Sequence, residues 1–192
     1  WGIPTAADRT LRLHDYVCGF MKNVADFVCS HSDSAGLNLL GYCMGGTLAL
    51  AAAASHPEAV ARIALIGTPW RFAHMRGVAA MARGDGGQAM LKALQQMGAA
   101  FGRIPGDAFQ LLFAMLAPAQ AARKFRAFAR LAPGSAAAHR FVLVEDWLNA
   151  PSDMAAPAAI DMVRDWYATD APGRGAWRPL GQPVDPAAMT AP

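Results

Sequence analysis

From residue 34 to residue 57 the chain carries no Asp, Glu, Lys or Arg. A run of that length is long enough to cross a bilayer as a helix, so its fold constrains everything around it. Gly36, Gly41, Gly45 and Gly46 interrupt the run, and its character changes at Cys43. Before Cys43 stands Leu37-Asn38-Leu39-Leu40, short and apolar. After it, Thr47-Leu48-Ala49-Leu50 opens an alanine-rich helix former. The segment therefore reads as strand, tight turn and helix, not as a membrane span. The strand, over residues 37–42, is expected to be buried on both faces, as in a parallel sheet. Pro57-Glu58 starts the link to a second strand at Ile63-Ala64-Leu65-Ile66. Strand, helix and strand make a βαβ unit with a right-handed crossover.

Around this unit the chain reads as mostly helical. Leu13, Tyr16, Val17, Phe20, Val24, Phe27 and Val28 fall at helical spacing within residues 11–30 and predict one buried face. Residues 31–36 form a polar turn. Beyond Thr68-Pro69, Gly, Met, Phe and Ala dominate. Met90, Leu91, Leu94, Met97 and Phe101 mark one amphipathic helix. Asp107 is a candidate N-cap for the next, which carries Phe109, Leu112, Phe113 and Leu116. A third is expected over residues 119–131, and another, with Ile160, Val163 and Trp166, after Pro157. No strand signal separates them, and the tail from residue 171, with Pro172, Pro179, Pro183 and Pro186, is loop-like.

Composition removes several function classes. With 54% hydrophobic and 16% charged residues the chain is not disordered. Three cysteines do not make a disulfide framework. Seventeen Lys+Arg against fourteen Asp+Glu leave a net charge of +3, far from the footprint of a nucleic-acid binder. No signal-peptide pattern is visible. The chain opens on Trp1 and stops at Ala191-Pro192 without a closing element, so it is expected to be an internal fragment.

The residues that carry chemistry are Gly41-Tyr42-Cys43-Met44-Gly45-Gly46, a G-x-C-x-G form of the nucleophile elbow. A strand that turns sharply into a helix strains the residue at the corner. The positions two before and two after must then be very small. Cys43 would project from the strand end at a helix N-terminus, whose dipole favours a thiolate. The backbone N–H of Met44 would supply half of an oxyanion hole. A cysteine nucleophile needs a base and an orienting acid. His56 lies at the far end of the elbow helix, about 20 Å away. His139 sits among the later helices, and His74, after Thr68-Pro69, is the best of a poor set. The catalytic His and Asp are expected to lie outside this chain. Cys18 and Cys29 fit core packing, and no Cys/His cluster suggests a metal. Arg123, Lys124, Arg126 and Arg130 form a basic helix face, suited to solvent or to a phosphate-bearing substrate such as coenzyme A. Trp147, Trp166, Tyr167 and Trp177 could line an apolar site, although such residues more often serve core or domain packing.

The stretch Leu39-Leu40-Gly41-Tyr42-Cys43-Met44-Gly45-Gly46-Thr47-Leu48 resembles the lipase-like box of the polyhydroxyalkanoate synthase family, in the α/β-hydrolase superfamily. Ser55-His56-Pro57-Glu58-Ala59-Val60 and Gly67-Thr68-Pro69-Trp70-Arg71-Phe72 fit the segments that follow, with Arg71 where the family usually has Asp. Trp147-Leu148-Asn149, Trp166-Tyr167 and Gly181-Gln182-Pro183-Val184-Asp185 resemble later family elements, with Asp170 where Asn is more usual. The resemblance implies an α/β protein: a partial α/β-hydrolase fold with a large helical lid (cap) insertion. Residues 1–70 would be the partial core with the elbow, 71–175 the lid, and 176–192 a truncated return to the core.

The implied activity is acyl transfer. Cys43 would take the acyl group of a 3-hydroxyacyl-coenzyme A, release coenzyme A, and pass the acyl unit to a growing polyester. No separate cofactor is implied, since coenzyme A enters with the substrate and leaves as product. The implied setting is bacterial cytoplasm, at the polymer granule surface, with a homodimer or a second synthase subunit as partner, no nucleic acid and no transmembrane segment. Two alternatives stay open. One is a cysteine hydrolase of the dienelactone hydrolase or esterase type, which shares the elbow but lacks so long an insertion. The other is a truncated, non-catalytic homologue acting as a binding module.

Overall fold

The computed structural model describes residues 2–32, 36–75, 78–116, 118–179 and 181–189. The N-terminal helix begins at α1 (Leu13–Asp15), widens to π geometry over Tyr16–Met21 and continues as α2 (Lys22–Ser30). Strand β1 (Leu37–Tyr42) leads through Cys43 into α3 (Met44–Ser55), and β2 (Val60–Ile66) returns parallel to β1. Then come α4 (Val78–Met81), α5 (Asp85–Phe101), β3 (Arg103–Ile104), α6 (Gly106–Leu116), α7 (Pro118–Phe128) and α8 (Ala136–Leu148). Finally β4 (Met154–Ala155) pairs antiparallel with β3 and runs into α9 (Ala156–Asp161), which continues in π geometry over Met162–Ala168.

The predicted βαβ unit is present, with Leu39 opposite Ile63, Gly41 opposite Leu65 and Tyr42 opposite Ile66. Its burial corrects the sequence reading. β1 is not buried on both faces: Leu37, Leu39 and Gly41 turn inward, whereas Asn38, Leu40 and Tyr42 are exposed. The period of two in a strand puts alternate residues on opposite faces, and α3 covers one face only. The stripe on the N-terminal helix is corrected too. Leu13, Tyr16 and Val17 are buried, but Val24, Phe27 and Val28 are exposed, so only the first turns of that helix face the core.

The main core gathers residues from the whole length of the chain. Leu13 and Val17 meet Leu48 and Ala51 of α3, Phe72, Ala158 of α9, Trp166, Trp177 and Val184. Trp166 stacks on Phe72 at 5.5 Å and meets Trp177 edge-on at 5.3 Å, geometries that aromatic pairs favour. A second cluster joins Leu94 of α5, Ile104, Ala156, Ala159 and Val163. One charged tie crosses the core edge. The buried Asp161 carboxylate accepts from Arg12 (2.5 and 3.0 Å) and from Arg164 (2.8 Å). These bonds fasten the start of the N-terminal helix to the end of α9.

The β3–β4 pair and the full extent of α8 lie outside the sequence reading, since two-residue strands carry no periodicity. Asp107 is not the N-cap it was expected to be. It lies in the first turn of α6, and the cap comes from a distant residue: the Gly106 N–H donates to Asp153 at 2.9 Å. The middle of the predicted polar turn, residues 33–35, lies outside the described residues, as do the side chains of Phe113 and Leu116.

Candidate active site

Cys43 occupies the corner between β1 and α3 at φ 50° and ψ −126°. A positive φ is strained for a residue with a Cβ, and such strain persists only where the surroundings enforce it. Here they do. The Cys43 N–H donates to the Ile66 carbonyl at 2.9 Å, carrying the sheet ladder to the corner. The Cys43 carbonyl accepts from the Gly46 N–H at 2.9 Å, starting the helix. The residue is exposed. Met44 is the first residue of α3, so its N–H belongs to the set that no helical carbonyl satisfies.

The glycines divide the steric work unequally. A Cβ on Gly41 would stand 2.4 Å from the Gly46 Cα, and one on Gly46 would stand 1.8 Å from the Thr68 Oγ1. Gly45 has open space around it. The small-residue requirement expected at Gly45 therefore falls at Gly46, because the segment after β2 crosses the helix there. That segment is bonded to the helix as well: the fully buried Thr47 donates its hydroxyl to the Pro69 carbonyl at 2.8 Å. Thr68 Oγ1 is buried and has no hydrogen-bond partner among the described residues.

Tyr167 is the site neighbour that the sequence offers only as one of four aromatics able to line an apolar site. Its ring packs edge-on against Phe72 at 5.0 Å. Burial pushes its hydroxyl pKa up, and a Cys43 thiolate would push it the same way. Phenol and thiol therefore share one electrostatic neighbourhood. The Trp166-Tyr167 pair was the available signal, but nothing in it distinguishes the ring that fills the core from the one beside the elbow.

A cavity of about 270 Å³ adjoins the elbow, with Met44, Leu48 and Met154 in its wall beside the polar Tyr16, Ser152 and Asp153. A larger one, about 350 Å³, is lined by Ala53, Ala54, Pro57 and Met189. It lies at the opposite end of the 12-residue α3, roughly 18 Å from Cys43, and is too distant to serve it.

Among the described residues no histidine hydrogen-bonds to Cys43. His56 caps the C-terminal end of α3, His74 is exposed on the turn Phe72–His74, and His139 is exposed on α8. Among the same residues no group of three His, Cys, Asp or Glu could hold a metal, and no helix is long and apolar enough to cross a membrane. Arg71 is exposed. Of the basic helix face, Lys124 pairs with Glu145 at 2.5 Å, while Arg123, Arg126 and Arg130 stand in solvent. Trp166 and Trp177 are core residues, but Trp147 is 62% exposed and its ring lies 5.9 Å from Tyr42, next to Cys43. Cys18 and Cys29 are half-buried, and burial pushes the Cys18 thiol up.

Residues 4–139 match the alpha/beta hydrolase fold, and the chain belongs to that family. Within it, the chain is 32% identical over 171 residues to the poly(3-hydroxyalkanoate) polymerase subunit PhaC of Synechocystis sp., covering 87% of this chain and 44% of that protein. It is 31% identical over 168 residues to the subunit of the same name from Haloarcula marismortui, covering 87% and 34%. With that of Allochromatium vinosum it shares 27% over 193 residues, covering 100% and 53%. The likeness to polyhydroxyalkanoate synthases seen in the elbow sequence thus extends over most of the chain. The chain spans about half or less of the length of these relatives.

Proposed function

We propose that this chain carries the nucleophile of an acyltransferase that polymerises 3-hydroxyacyl-coenzyme A into polyhydroxyalkanoate. The observation that supports this most is Cys43, strained at the corner ahead of α3, in a chain similar to PhaC polymerase subunits. The Cys43 thiolate attacks the thioester carbonyl. The Met44 N–H donates to the oxyanion that forms. The carbon–sulfur bond to coenzyme A then breaks, coenzyme A leaves as a thiolate, and an acyl-cysteine remains. Attacking and leaving groups are both thiolates, so the exchange is nearly balanced. The hydroxyl of another acyl unit, deprotonated by a base, attacks the acyl-cysteine and lengthens the ester chain. The base and its Asp come from outside these 192 residues. Gly41, Gly45 and Gly46 form the elbow, and the cavity beside Met44, part apolar and part polar, takes the acyl unit with its hydroxyl. The helices of residues 71–175 act as a lid over a site kept dry for the ester product, between a core part (1–70) and a return segment (176–192).

The test is release of coenzyme A from 3-hydroxybutyryl-coenzyme A by the protein that carries this chain. Cys43→Ala is expected to abolish it, and unchanged release would sink the assignment. The 192-residue chain alone is expected to show no turnover, and measurable turnover by it would place the base within these residues.

A further inference from the structure

The segment after β2 leaves the sheet through Gly67, at φ 57°, and residues 68–72 then run across the elbow. Thr68 fills the space that a Cβ on Gly46 would need, and the Pro69 carbonyl takes the Thr47 hydroxyl. The far end of the segment is fixed from 98 residues away, where the Phe72 N–H donates to Asp170 Oδ1 at 2.7 Å. Three features converge on that one bond. Asp170 holds φ 49°, and among the described residues Cys43 is the other non-glycine at positive φ. Gly173 gives the carboxylate room, since a Cβ there would stand 2.6 Å from both of its oxygens. Phe72 itself is completely buried and held between Trp166 and Tyr167. Strain of this kind persists where the surroundings over-determine it. A charged acceptor makes the bond stronger than a neutral one would.

We propose that Asp170 is a positioning residue which, through the 68–72 segment, holds the elbow and the Cys43 sulfur at the N-terminus of α3. Both ends of the segment are then fixed. One end packs on Gly46 and bonds to Thr47, and the other is held by the carboxylate. Freeing the second end lets Thr68 and Pro69 shift against the first turn of α3, and the corner that keeps Cys43 strained relaxes. The proposal rests on reading Cys43 as the nucleophile, but it is tested without turnover.

The experiment is iodoacetamide alkylation of the folded protein that carries this chain, with the rate at each cysteine followed by mass spectrometry. Asp170→Gly removes the carboxylate and keeps positive φ accessible; its Cys43 sulfur, no longer held at the N-terminus of α3 where a thiolate is favoured, is expected to react several-fold more slowly. Asp170→Asn retains an acceptor oxygen and tolerates positive φ, so its Cys43 rate is expected to stay within about twofold of the parent. Cys18 and Cys29 serve as internal controls and should keep their rates in both variants. Gly173→Ala drives a methyl into the carboxylate and is expected to behave like Asp170→Gly; it decides the matter if that variant fails to fold. A Cys43 rate within about twofold of the parent in folded Asp170→Gly or Gly173→Ala overturns the proposal. Failure of the nucleophile reading shows elsewhere, as coenzyme A release that survives Cys43→Ala.

Discussion

A methyl group on Gly41 would lie 2.4 Å from the Gly46 Cα, a backbone atom that no rotamer change can move aside. Gly41→Ala is therefore expected to cost more than about 3 kcal/mol, the range of severe overpacking. Gly45→Ala meets nothing and sits in the first turn of α3, so it should gain up to about 1 kcal/mol from helix propensity. Urea denaturation of the two variants checks this, and equal effects would mean that the corner is not built as described. The pair also shows how far the sequence could be read at this scale. G-x-C-x-G located the turn and the residue at its corner, because strain at a strand-to-helix corner is a local property. Which of the adjacent glycines bears the contact depends on Thr68, brought back by the whole of β2. Tyr167 was illegible for the same reason, since its packing on Phe72 joins segments far apart in the chain.

The start of α6 depends on a carboxylate 47 residues further along the chain. Asp153 accepts from the Gly106 N–H at 2.9 Å and pairs with Arg103 across the short β3–β4 ladder. Asp153→Ala is expected to cost about 1 kcal/mol at pH 7, the usual value of a lost helix cap. The bond to Gly106, with help from Arg103, holds the Asp153 carboxyl below its ordinary 3.8. A depressed carboxyl binds fewer protons folded than unfolded. Its contribution is therefore complete above the ordinary value and disappears as pH falls through the folded one. The stability gap between parent and Asp153→Ala should accordingly close in acid, below that ordinary value. A gap that persists at the lowest pH would mean that the carboxylate does not act as the cap. Alanine-rich composition disclosed α3, and local periodicity disclosed α5 and a helix beginning near residue 107. It could not disclose that the cap is Asp153, because capping by a distant side chain leaves no mark in the first turn. Likewise the apolar stripe of α2 met the helical spacing rule, yet Val24 and Phe27 stay exposed, and the Phe27 ring stacks on His31 at 4.2 Å instead of entering the core.

At the scale of the whole chain, the described residues of the sheet contribute little to the main core. Leu40, Tyr42, Leu65 and Ile66 are 70%, 56%, 42% and 52% exposed. Phe72, Trp166 and Val184, from segments far apart in the chain, are 0%, 1% and 1% exposed. The βαβ unit was the most legible part of the sequence, but the fold is held where α3 and the N-terminal helix meet α9 and the Trp166–Trp177 pair. That meeting was not legible, because it joins residues 13, 48, 72, 158 and 184 through contacts that no window of the sequence contains. The two kinds of apolar residue should then respond oppositely to substitution. Phe72→Ala removes a fully buried ring that two aromatic neighbours contact, and is expected to cost about 3–5 kcal/mol. Leu40→Lys, made in the 192-residue chain, changes a side chain that is 70% exposed there, and its stem can lie along the same surface as the leucine did. Its cost is expected to fall within about 0.5 kcal/mol of zero. Chemical denaturation of both variants, read at matched slope, measures the difference. A large loss from Leu40→Lys would show that the outer face of β1 is packed in solution, whereas a small loss from Phe72→Ala would mean that the aromatic junction is not the centre of the fold.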